Sequence, residues 1–294
     1  MVLFVALAPL LTGIIRKTKA FLSLRRGAPV WQPYADLRKL FRRGIVRSST
    51  ASWVFDLSAP VVLGGTLVLA AATPLYSREV PLPVHFVLYI YLMALPRFFQ
   101  TLAGLDTGSA FGGLGSSREV SVSSMAEPAL ILALCGLAFL GGADTVNGFL
   151  SGMPAGSVLA RPETILIAGT LFLLLLAENS RIPVDDPATH LELTMIHEAM
   201  VLDHSGVDLG MIQLASSLRI ALFSALVSAA LFPQSLSLPA HLALPAALAR
   251  LCLFGVLIGS VEAGTARLRL SRVAAFLMVA TVLASIALAI QHAG

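Results

Sequence analysis

Residues 177–210 read AENSRIPVDDPATHLELTMIHEAMVLDHSGVDLG and form an acidic stretch between two apolar segments. The uncharged run TILIAGTLFLLLLA (residues 164–177) precedes it, and a second apolar segment begins at Met211. This arrangement indicates a polar loop that membrane spans hold at a membrane surface. The stretch contains seven of the sixteen carboxylates, namely Glu178, Asp185, Asp186, Glu192, Glu198, Asp203 and Asp208.

The composition of the whole chain points to the same class. Hydrophobic residues make up 57% of the 294 residues, charged residues make up 12%, and the mean hydropathy is +0.86. Soluble domains carry about 25% charged residues, so this chain has too little charge to cover a surface exposed to water. Its two cysteines, Cys135 and Cys252, provide neither a CxxC pair nor an iron–sulfur ligand set.

We predict an all-α integral membrane fold, because backbone polar groups in lipid must be satisfied within their own segment. About 20 apolar residues cross the hydrocarbon layer, and eight such segments make residues 1–294 a single polytopic domain. The predicted spans cover residues 1–15, 53–75, 82–103, 125–142, 162–177, 211–232, 238–261 and 273–290.

Lysine and arginine predict the orientation of these spans. Fifteen of the twenty lie in loops on one side, and only Arg78 and Arg161 lie in loops on the other. Basic loops face the cytoplasm. We therefore expect a multi-pass protein of the cell's inner membrane, with residues 178–210 cytoplasmic and both termini outside.

The first basic loop predicts an amphipathic helix over about residues 33–46. Tyr34, Leu37, Phe41 and Ile45 recur at helical spacing, and charged residues fill the opposite face. Such a helix lies in the headgroup layer of the membrane. Two alternatives are open: it is only a basic anchor for anionic lipid, or it also closes a cavity beneath the neighbouring spans.

Residues 106–124, DTGSAFGGLGSSREVSVSS, are rich in glycine and serine. They lack the GKS or GKT ending of a phosphate-binding P-loop, so we expect a flexible cytoplasmic loop. Arg118 and Glu119 are expected to pair with each other or with the acidic stretch.

Ionisable residues within the spans are candidates for proton transfer. Such a residue costs at least ~2.5 kcal/mol on insertion scales, so it usually faces protein or water. Glu127, in the first turn of the fourth span, and Glu178, at the end of the fifth, are expected to line a polar cavity or relay protons, the alternative being a structural ion pair. Arg97, Arg219 and Arg250 either neutralise these carboxylates or extend towards the membrane surface.

Three histidines of the acidic stretch suggest a metal site. His190, His197 and His204 are seven residues apart, so their rings on one helix would lie roughly 10 Å from each other. His197 and Glu198 begin an HExxH-like pattern, but Val201 replaces its second histidine. We therefore predict no metal site and, without a nucleophile elbow or triad, no catalytic residue.

Three segments resemble a known family. The acidic stretch, RRGAPVWQPYADLRKLFRR (residues 25–43) and RFFQTLAGLDTGSAFGGLGSSREVSVSSMAEPAL (residues 97–130) are similar to the membrane subunit of energy-converting nickel–iron hydrogenases. The similarity is to the formate hydrogenlyase and hydrogenase-4 type, which is related to the H subunit of NADH:quinone oxidoreductase. Eight spans with external termini also match that family's architecture.

The acidic stretch distinguishes two branches of this family. The quinone-reducing relatives read approximately AETNRAPFDLPEAESELV after the fifth span. This chain keeps Glu178 and Arg181, but it has Val-Asp-Asp-Pro at residues 184–187 and His190 where the quinone branch differs. It resembles the hydrogenase branch.

The resemblance implies a membrane-anchor and ion-coupling subunit that has no cofactor or metal of its own. Its expected partners are the hydrogenase large and small subunits, an iron–sulfur subunit, antiporter-like membrane subunits and lipid, but not nucleic acid. The nickel–iron centre and the iron–sulfur clusters are expected in those partners. Electron transfer there would be linked to the movement of protons or sodium ions.

We expect eleven residues to carry this coupling, with the arginines adjusting the pKa of nearby carboxylates. Two rival functions are open: a quinone-binding H subunit of an NADH-quinone oxidoreductase-like complex, and a free-standing ion transporter. Against the transporter, the sequence lacks an internal repeat with paired broken helices. The proposed path comprises Glu127, Glu178, Asp185, Asp186, Glu192, Glu198 and Asp203, with supporting charges at Asp106, Arg118, Glu119 and Arg181.

Overall fold

The computed structural model describes residues 2–74, 82–152, 161–186, 195–232 and 239–293. Within these ranges the chain is helical and contains no strand, which confirms the predicted all-α class. The helices are α1 (Val2–Leu22), α2 (Gln32–Leu40), α3 (Trp53–Ala72), α4 (Phe86–Asp106), α5 (Ala110–Gly141), α6 (Val146–Gly152), α7 (Pro162–Glu178), α8 (His197–Val201), α9 (Gly206–Leu231), α10 (Ala240–Gly264) and α11 (Leu270–Ala293).

Six of these helices are long and apolar enough to cross a membrane, namely α3, α4, α5, α9, α10 and α11. The protein is therefore a multi-pass membrane protein. Helices α1 and α7 occupy the first and fifth predicted spans, but α7 has only 17 residues and α1 carries Arg16, Lys17 and Lys19 in its last two turns. The total of eight spans stays a prediction.

The glycine- and serine-rich segment is helical, so the prediction of a flexible loop at residues 106–124 was wrong over most of its length. Helix α5 begins at Ala110, one residue after Ser109, whose side-chain oxygen accepts a hydrogen bond from the Gly112 amide. This early start also places Glu127 in the interior of α5 rather than in a first turn.

The glycines of this segment serve close packing. A Cβ atom on Gly115 would lie 2.9 Å from both the Ala199 Cβ atom and the Ile196 carbonyl oxygen. Only a residue without a side chain lets α5 approach α8 this closely. Small residues mark close helix contacts in membranes as well as loops, and this ambiguity misled the sequence-based prediction.

Helix α9 is the centre of the bundle. In its 18-residue apolar window 83% of the residues are buried, against 28–44% in the other five candidate spans. Helices α1, α3 and α7 all pack against it. Its many alanines and serines permit this close approach. Arg219, on α9, is consequently only 6% exposed and lies within protein.

The predicted amphipathic helix is α2, which is shorter than residues 33–46 and packs against α1 and α9. It ends at Leu40, and the later residue Val46 bonds to the segment that precedes α9. The Val46 amide donates to Ser205 Oγ, and Ser205 Oγ donates to the Val46 carbonyl, both at 2.8 Å. Gly206 has a φ angle of +52°, and any side chain there would collide with the Gly44 carbonyl.

Replacing Gly115 with alanine is expected to lower the free energy of unfolding by about 1–3 kcal/mol, because the new methyl group overpacks the contact with α8. The matched control is Gly113→Ala on the same helix, where a Cβ atom meets nothing within 4 Å. That change should be neutral or stabilise by about 0.5–1 kcal/mol. Thermal unfolding in one detergent measures both, and equal stability of the two variants would contradict the close contact.

A charged cavity beside a buried ion-pair cluster

A cavity of about 500 Å³ lies among α1, α2, α8, α9, the end of α10 and the segment after α7. Helix α2 forms one wall through Pro33, Asp36 and Leu37, which supports the cavity-closing alternative for this helix. Only Ala20, Pro33 and Leu37 line the cavity with wholly apolar side chains. The polar lining consists of Thr12, Arg16, Lys19, Ser23, Arg25, Asp36, Asn179, Ser180, Arg181, Asp186, His197, Glu198, Gln213, Ser216, Ser217 and Glu262.

Several charges of the cavity wall form a linked series. Lys19 Nζ lies 3.7 Å from Asp186 Oδ1 and 3.6 Å from Glu262 Oε2. Arg181 Nη1 lies 3.3 Å from Glu262 Oε1. The Glu262 side chain is only 3% exposed, so these two cations offset the cost of burying its charge. Glu262 is a carboxylate directly after the seventh predicted span, which marks it in the sequence, whereas no such pattern marks its partner Lys19.

A second group of charges, the buried cluster, consists of Arg97, Glu119, Glu178 and Arg219. Arg97 Nη1 on α4 donates to Glu178 Oε1 on α7 at 2.6 Å, and both side chains are 6% exposed. Arg97 Nη1 also lies 3.1 Å from Ser123 Oγ on α5. Glu119 on α5 and Arg219 on α9 are buried and interact electrostatically with both members of the pair. Neutralisation of carboxylates is thus the alternative that the structure supports for Arg97 and Arg219.

His197 lies between the cavity and the buried cluster. It lines the cavity, and its Nε2 atom is 3.3 Å from Nε2 of Gln100 on α4. Gln100 follows Arg97 by three residues, so the two share a face of α4. Burial, assisted by the nearby charge of Arg219, lowers the pKa of His197 to about 3. Its imidazole is therefore neutral at neutral pH. Sequence reasoning considered this residue only as a metal ligand.

Asp185 holds the backbone that carries His197. Its Oδ2 atom accepts hydrogen bonds from the amides of Ile196 and His197 at 3.1 and 3.3 Å. Its Oδ1 atom lies 2.9 Å from Arg267 Nη2, in the segment between α10 and α11. The carboxylate is buried, and its negative charge is favourable at the start of α8. The Oδ2 contacts thus fix the start of α8, and the Oδ1 contact joins Asp185 to the segment after α10.

Three further predicted residues connect loops to helix ends. Ser109 Oγ donates to Asp203 Oδ2 at 2.9 Å, and Arg118 Nη1 donates to the Met195 carbonyl at 3.0 Å. Arg118 therefore contacts the acidic stretch, one of its two expected partners. The Ser52 amide and hydroxyl both donate to Asp106 at 2.7 Å.

The other residues of the predicted proton path lie in different parts of the structure. Asp186 and Glu198 line this cavity, whereas Glu127 and Glu178 are not among its lining residues, and their role in proton transfer stays a prediction. Glu127 is half-buried within α5 and forms no hydrogen bond or ion pair with another described residue. Glu192 lies outside the described residues, as does His190. Within the described ranges, no three His, Cys, Asp or Glu side chains are grouped to hold a metal ion.

A family model described as NADH dehydrogenase matches residues 1–293. The chain belongs to this family. It is 35% identical over 245 residues to hydrogenase-4 component C of Escherichia coli (strain K12), covering 81% of this chain and 76% of that protein. It is 33% identical over 221 residues to formate hydrogenlyase subunit 4 of the same organism, covering 74% and 71% respectively. The resemblance inferred from three segments of the sequence is confirmed.

A solved structure extends the likeness to the fold. One chain of the membrane-bound sulfane sulfur reductase, an archaeal respiratory membrane complex, superposes with a TM-score of 0.83. The match covers 99% of this chain and 96% of that chain at 19% identity. At this level of identity the likeness concerns the fold alone. The names of the two Escherichia coli relatives describe a component and a subunit, and the solved chain belongs to a complex.

Replacing Arg97 with methionine is expected to lower the free energy of unfolding by about 3 kcal/mol, because it leaves Glu178 buried without its partner. The double variant Arg97→Met/Glu178→Gln should recover at least about 1 kcal/mol of that loss. Thermal unfolding of the single and double variants in detergent measures the coupling. Strictly additive losses would show that the two side chains do not stabilise one another.

A second prediction concerns His204. Its ring stacks on Phe55 with centroids 4.0 Å apart, and neither ring nitrogen has a hydrogen-bond partner in the described part of the chain. Burial lowers the pKa of His204 to about 4, although the nearby Asp203 opposes this effect. The unfolded-state pKa is about 6.5. The unfolded chain therefore binds more protons, and stability present above pH 6.5 is lost as the pH falls towards 4.

We expect His204→Phe to remove this part of the acid sensitivity while keeping the stacked ring. Between pH 7 and pH 5 the wild type should lose about 2 kcal/mol more stability than the variant. Unfolding at the two pH values measures the difference. An identical pH dependence of both proteins would show that His204 is not held neutral.

Proposed function

We propose that the chain is the membrane-anchor and ion-coupling subunit of a membrane-bound hydrogenase complex. Its identity to hydrogenase-4 component C and formate hydrogenlyase subunit 4, 35% and 33%, supports this assignment. The Val-Asp-Asp-Pro sequence at residues 184–187 supports the hydrogenase branch. The observation on which the coupling function rests is the buried Arg97–Glu178 pair beside a charged cavity.

In this proposal the electrons travel through partner subunits. The chain's two cysteines lie on α5 and α10, too few to hold an iron–sulfur cluster by a set of four thiolates. The hydrogenase large and small subunits and an iron–sulfur subunit would carry the nickel–iron centre and the clusters. Antiporter-like subunits would complete the membrane arm, and this chain would join the two.

The cavity side is proposed to face the cytoplasm, with both termini outside. The ends of α1, α7 and α10 meet at the cavity, which supports a common side for the loops that follow them. These loops carry most of the chain's lysines and arginines. The docked module would then contact the acidic stretch and the segment that contains α2.

The geometry supports coupling by electrostatics. Two unit charges 4 Å apart interact by about 4 kcal/mol at an effective dielectric constant of 20. A change of charge in a docked partner would therefore alter the balance among Lys19, Glu262 and Arg181, whose ion pairs lie at the cavity wall. Such a change would alter which carboxylates hold protons, and Glu127 and Glu178 would conduct them further into the bundle.

The rival functions differ in what they require. A quinone ring and its tail need a largely apolar slot, whereas most side chains that line this cavity are polar or charged. A free-standing transporter needs no partners, whereas the relatives are named as a component and a subunit. Purification in mild detergent separates the three. Co-purified nickel and iron–sulfur subunits would support the hydrogenase function. Inhibitor-sensitive quinone reduction would support the quinone-binding function. A chain that purifies without partners and still moves ions would support the free-standing transporter.

Glu178→Gln is expected to leave the complex assembled and electron transfer within twofold of wild type, because glutamine still accepts a hydrogen bond from Arg97. It should reduce ion movement per electron about tenfold, because the glutamine side chain carries no acidic proton to transfer. The intact complex in liposomes, given reduced methyl viologen as donor, measures hydrogen evolution and internal pH. The matched control is Glu163→Gln in the first turn of the same helix. Loss of assembly would instead identify a structural ion pair, and unchanged ion movement would contradict the coupling function.

A further inference from the structure

We propose that His197 exchanges protons between the cavity and the buried cluster, and that the Gln100 amide turns to match each protonation state of its ring. This inference rests on the proposed coupling function and names the residue at which protons enter the bundle. It assigns a role to a histidine and an amide that lie outside the expected set of carboxylates.

His197 lies between the cavity and the buried cluster. It lines the cavity, and its Nε2 atom is 3.3 Å from the Gln100 side-chain nitrogen. Gln100 lies one helical turn after Arg97, which bonds Glu178. Gln100 therefore lies between a residue of the cavity wall and a member of the buried cluster. Gln100 and His197 are both buried, so their contact lies within protein.

The contact between Gln100 and His197 determines which nitrogen of the imidazole carries the proton. A glutamine amide nitrogen only donates, so the observed contact requires His197 Nε2 to accept and the ring proton to sit on Nδ1. This arrangement leaves Gln100 Oε1 buried without a partner among the described residues. Turning the amide by 180° replaces the nitrogen with that oxygen, which accepts a hydrogen bond from a protonated Nε2. The pair thus has an arrangement for each tautomer, and each leaves one amide group without a partner.

The two arrangements permit the ring to take up one proton and pass it on. A proton from the cavity adds at Nε2 and gives an imidazolium, and the Gln100 amide turns so that its Oε1 atom accepts a hydrogen bond from the protonated Nε2. Transfer of this proton from Nε2 to the carboxylate of Glu119 or Glu178 returns the neutral ring, whose remaining proton has stayed on Nδ1. The Gln100 amide then turns back, and one proton has moved from the cavity to the buried cluster.

The surrounding charges keep this site neutral until their balance changes. Arg219 on α9 opposes a positive charge on His197, and the buried position opposes it further. The cavity wall also places charges of both signs around the ring. A docked partner that changes these charges therefore changes the proton affinity of the His197 imidazole. The charged groups near His197 on the surrounding elements are Arg97 on α4, Arg118 and Glu119 on α5, Asp185, Asp186 and Arg181 after α7, Glu198 on α8, Arg219 on α9 and Glu262 on α10.

The test uses the intact complex in liposomes, with reduced methyl viologen as donor and a pH-sensitive dye inside. We expect His197→Gln to retain hydrogen evolution within twofold and to lower proton movement per hydrogen at least fivefold. Gln100→Leu, which keeps the imidazole but removes its partner, should lower proton movement similarly. His241→Gln, the same change at an exposed histidine of α10, should match wild type. Normal proton movement in Gln100→Leu would overturn the inference even where His197→Gln does not assemble.

Chemical rescue separates a proton-transfer role from a structural one. The cavity of about 500 Å³ is large enough to admit free imidazole. Added imidazole should restore proton movement in His197→Ala but not in Glu178→Gln, and an absence of rescue would overturn the proton-transfer role. Glu178→Gln also distinguishes a failure of this inference from a failure of the proposed coupling function. If it uncouples while His197→Gln does not, only this inference fails; if both couple normally, the proposed function fails.

Discussion

The burial of ionisable side chains within an apolar bundle is the constraint on which this structure depends. A lone charge is costly in such an interior, so a partner on another helix stabilises a buried charge. Arg97 and Glu178 form such a pair and join α4 to α7, while Glu119 and Arg219 bring α5 and α9 into the same cluster. Convergence of four helices on one point is sterically demanding. The small residues of α9 and the glycines of α5 make it attainable, because they let helix backbones approach closely.

The molecule contains two groups of charged side chains, of which one lines a cavity and the other is enclosed by helices. The Lys19–Glu262–Arg181 series lies at the wall of a cavity, whereas the Arg97–Glu178 pair is enclosed by the bundle. Glu178 is the last residue of α7, and the segment that follows it supplies part of the cavity wall. The boundary between the two groups is therefore only a few side chains thick. A subunit that couples an event at the membrane surface to ion movement within the bundle needs such a thin boundary.

The sequence was sufficient for the long apolar helices but not for their grouping. Hydropathy located the six helices that are long and apolar enough to cross a membrane, because transfer into lipid depends on local composition. Glu178 was recognised because it is a carboxylate at the end of an apolar run. The same reasoning failed at residues 106–124, where glycines permit helix contact rather than a loop. It also missed the pairing of Lys19 with Glu262, which joins opposite ends of the chain. Such a pair depends on which helices are neighbours in space, and neither span length nor loop charge encodes that.

The carboxylate of Asp185 has a consequence for the length of the connection that leads to α8. Its hydrogen bond from the Ile196 amide brings two points eleven residues apart in sequence together. The hydrogen bond holds these two points together whatever residues join them along the chain. Loop-closure entropy grows only with the logarithm of the number of joining residues, so doubling that number costs only about 0.6 kcal/mol. The length of this connection can therefore change at little cost in stability, because Asp185 keeps both of its ends in place.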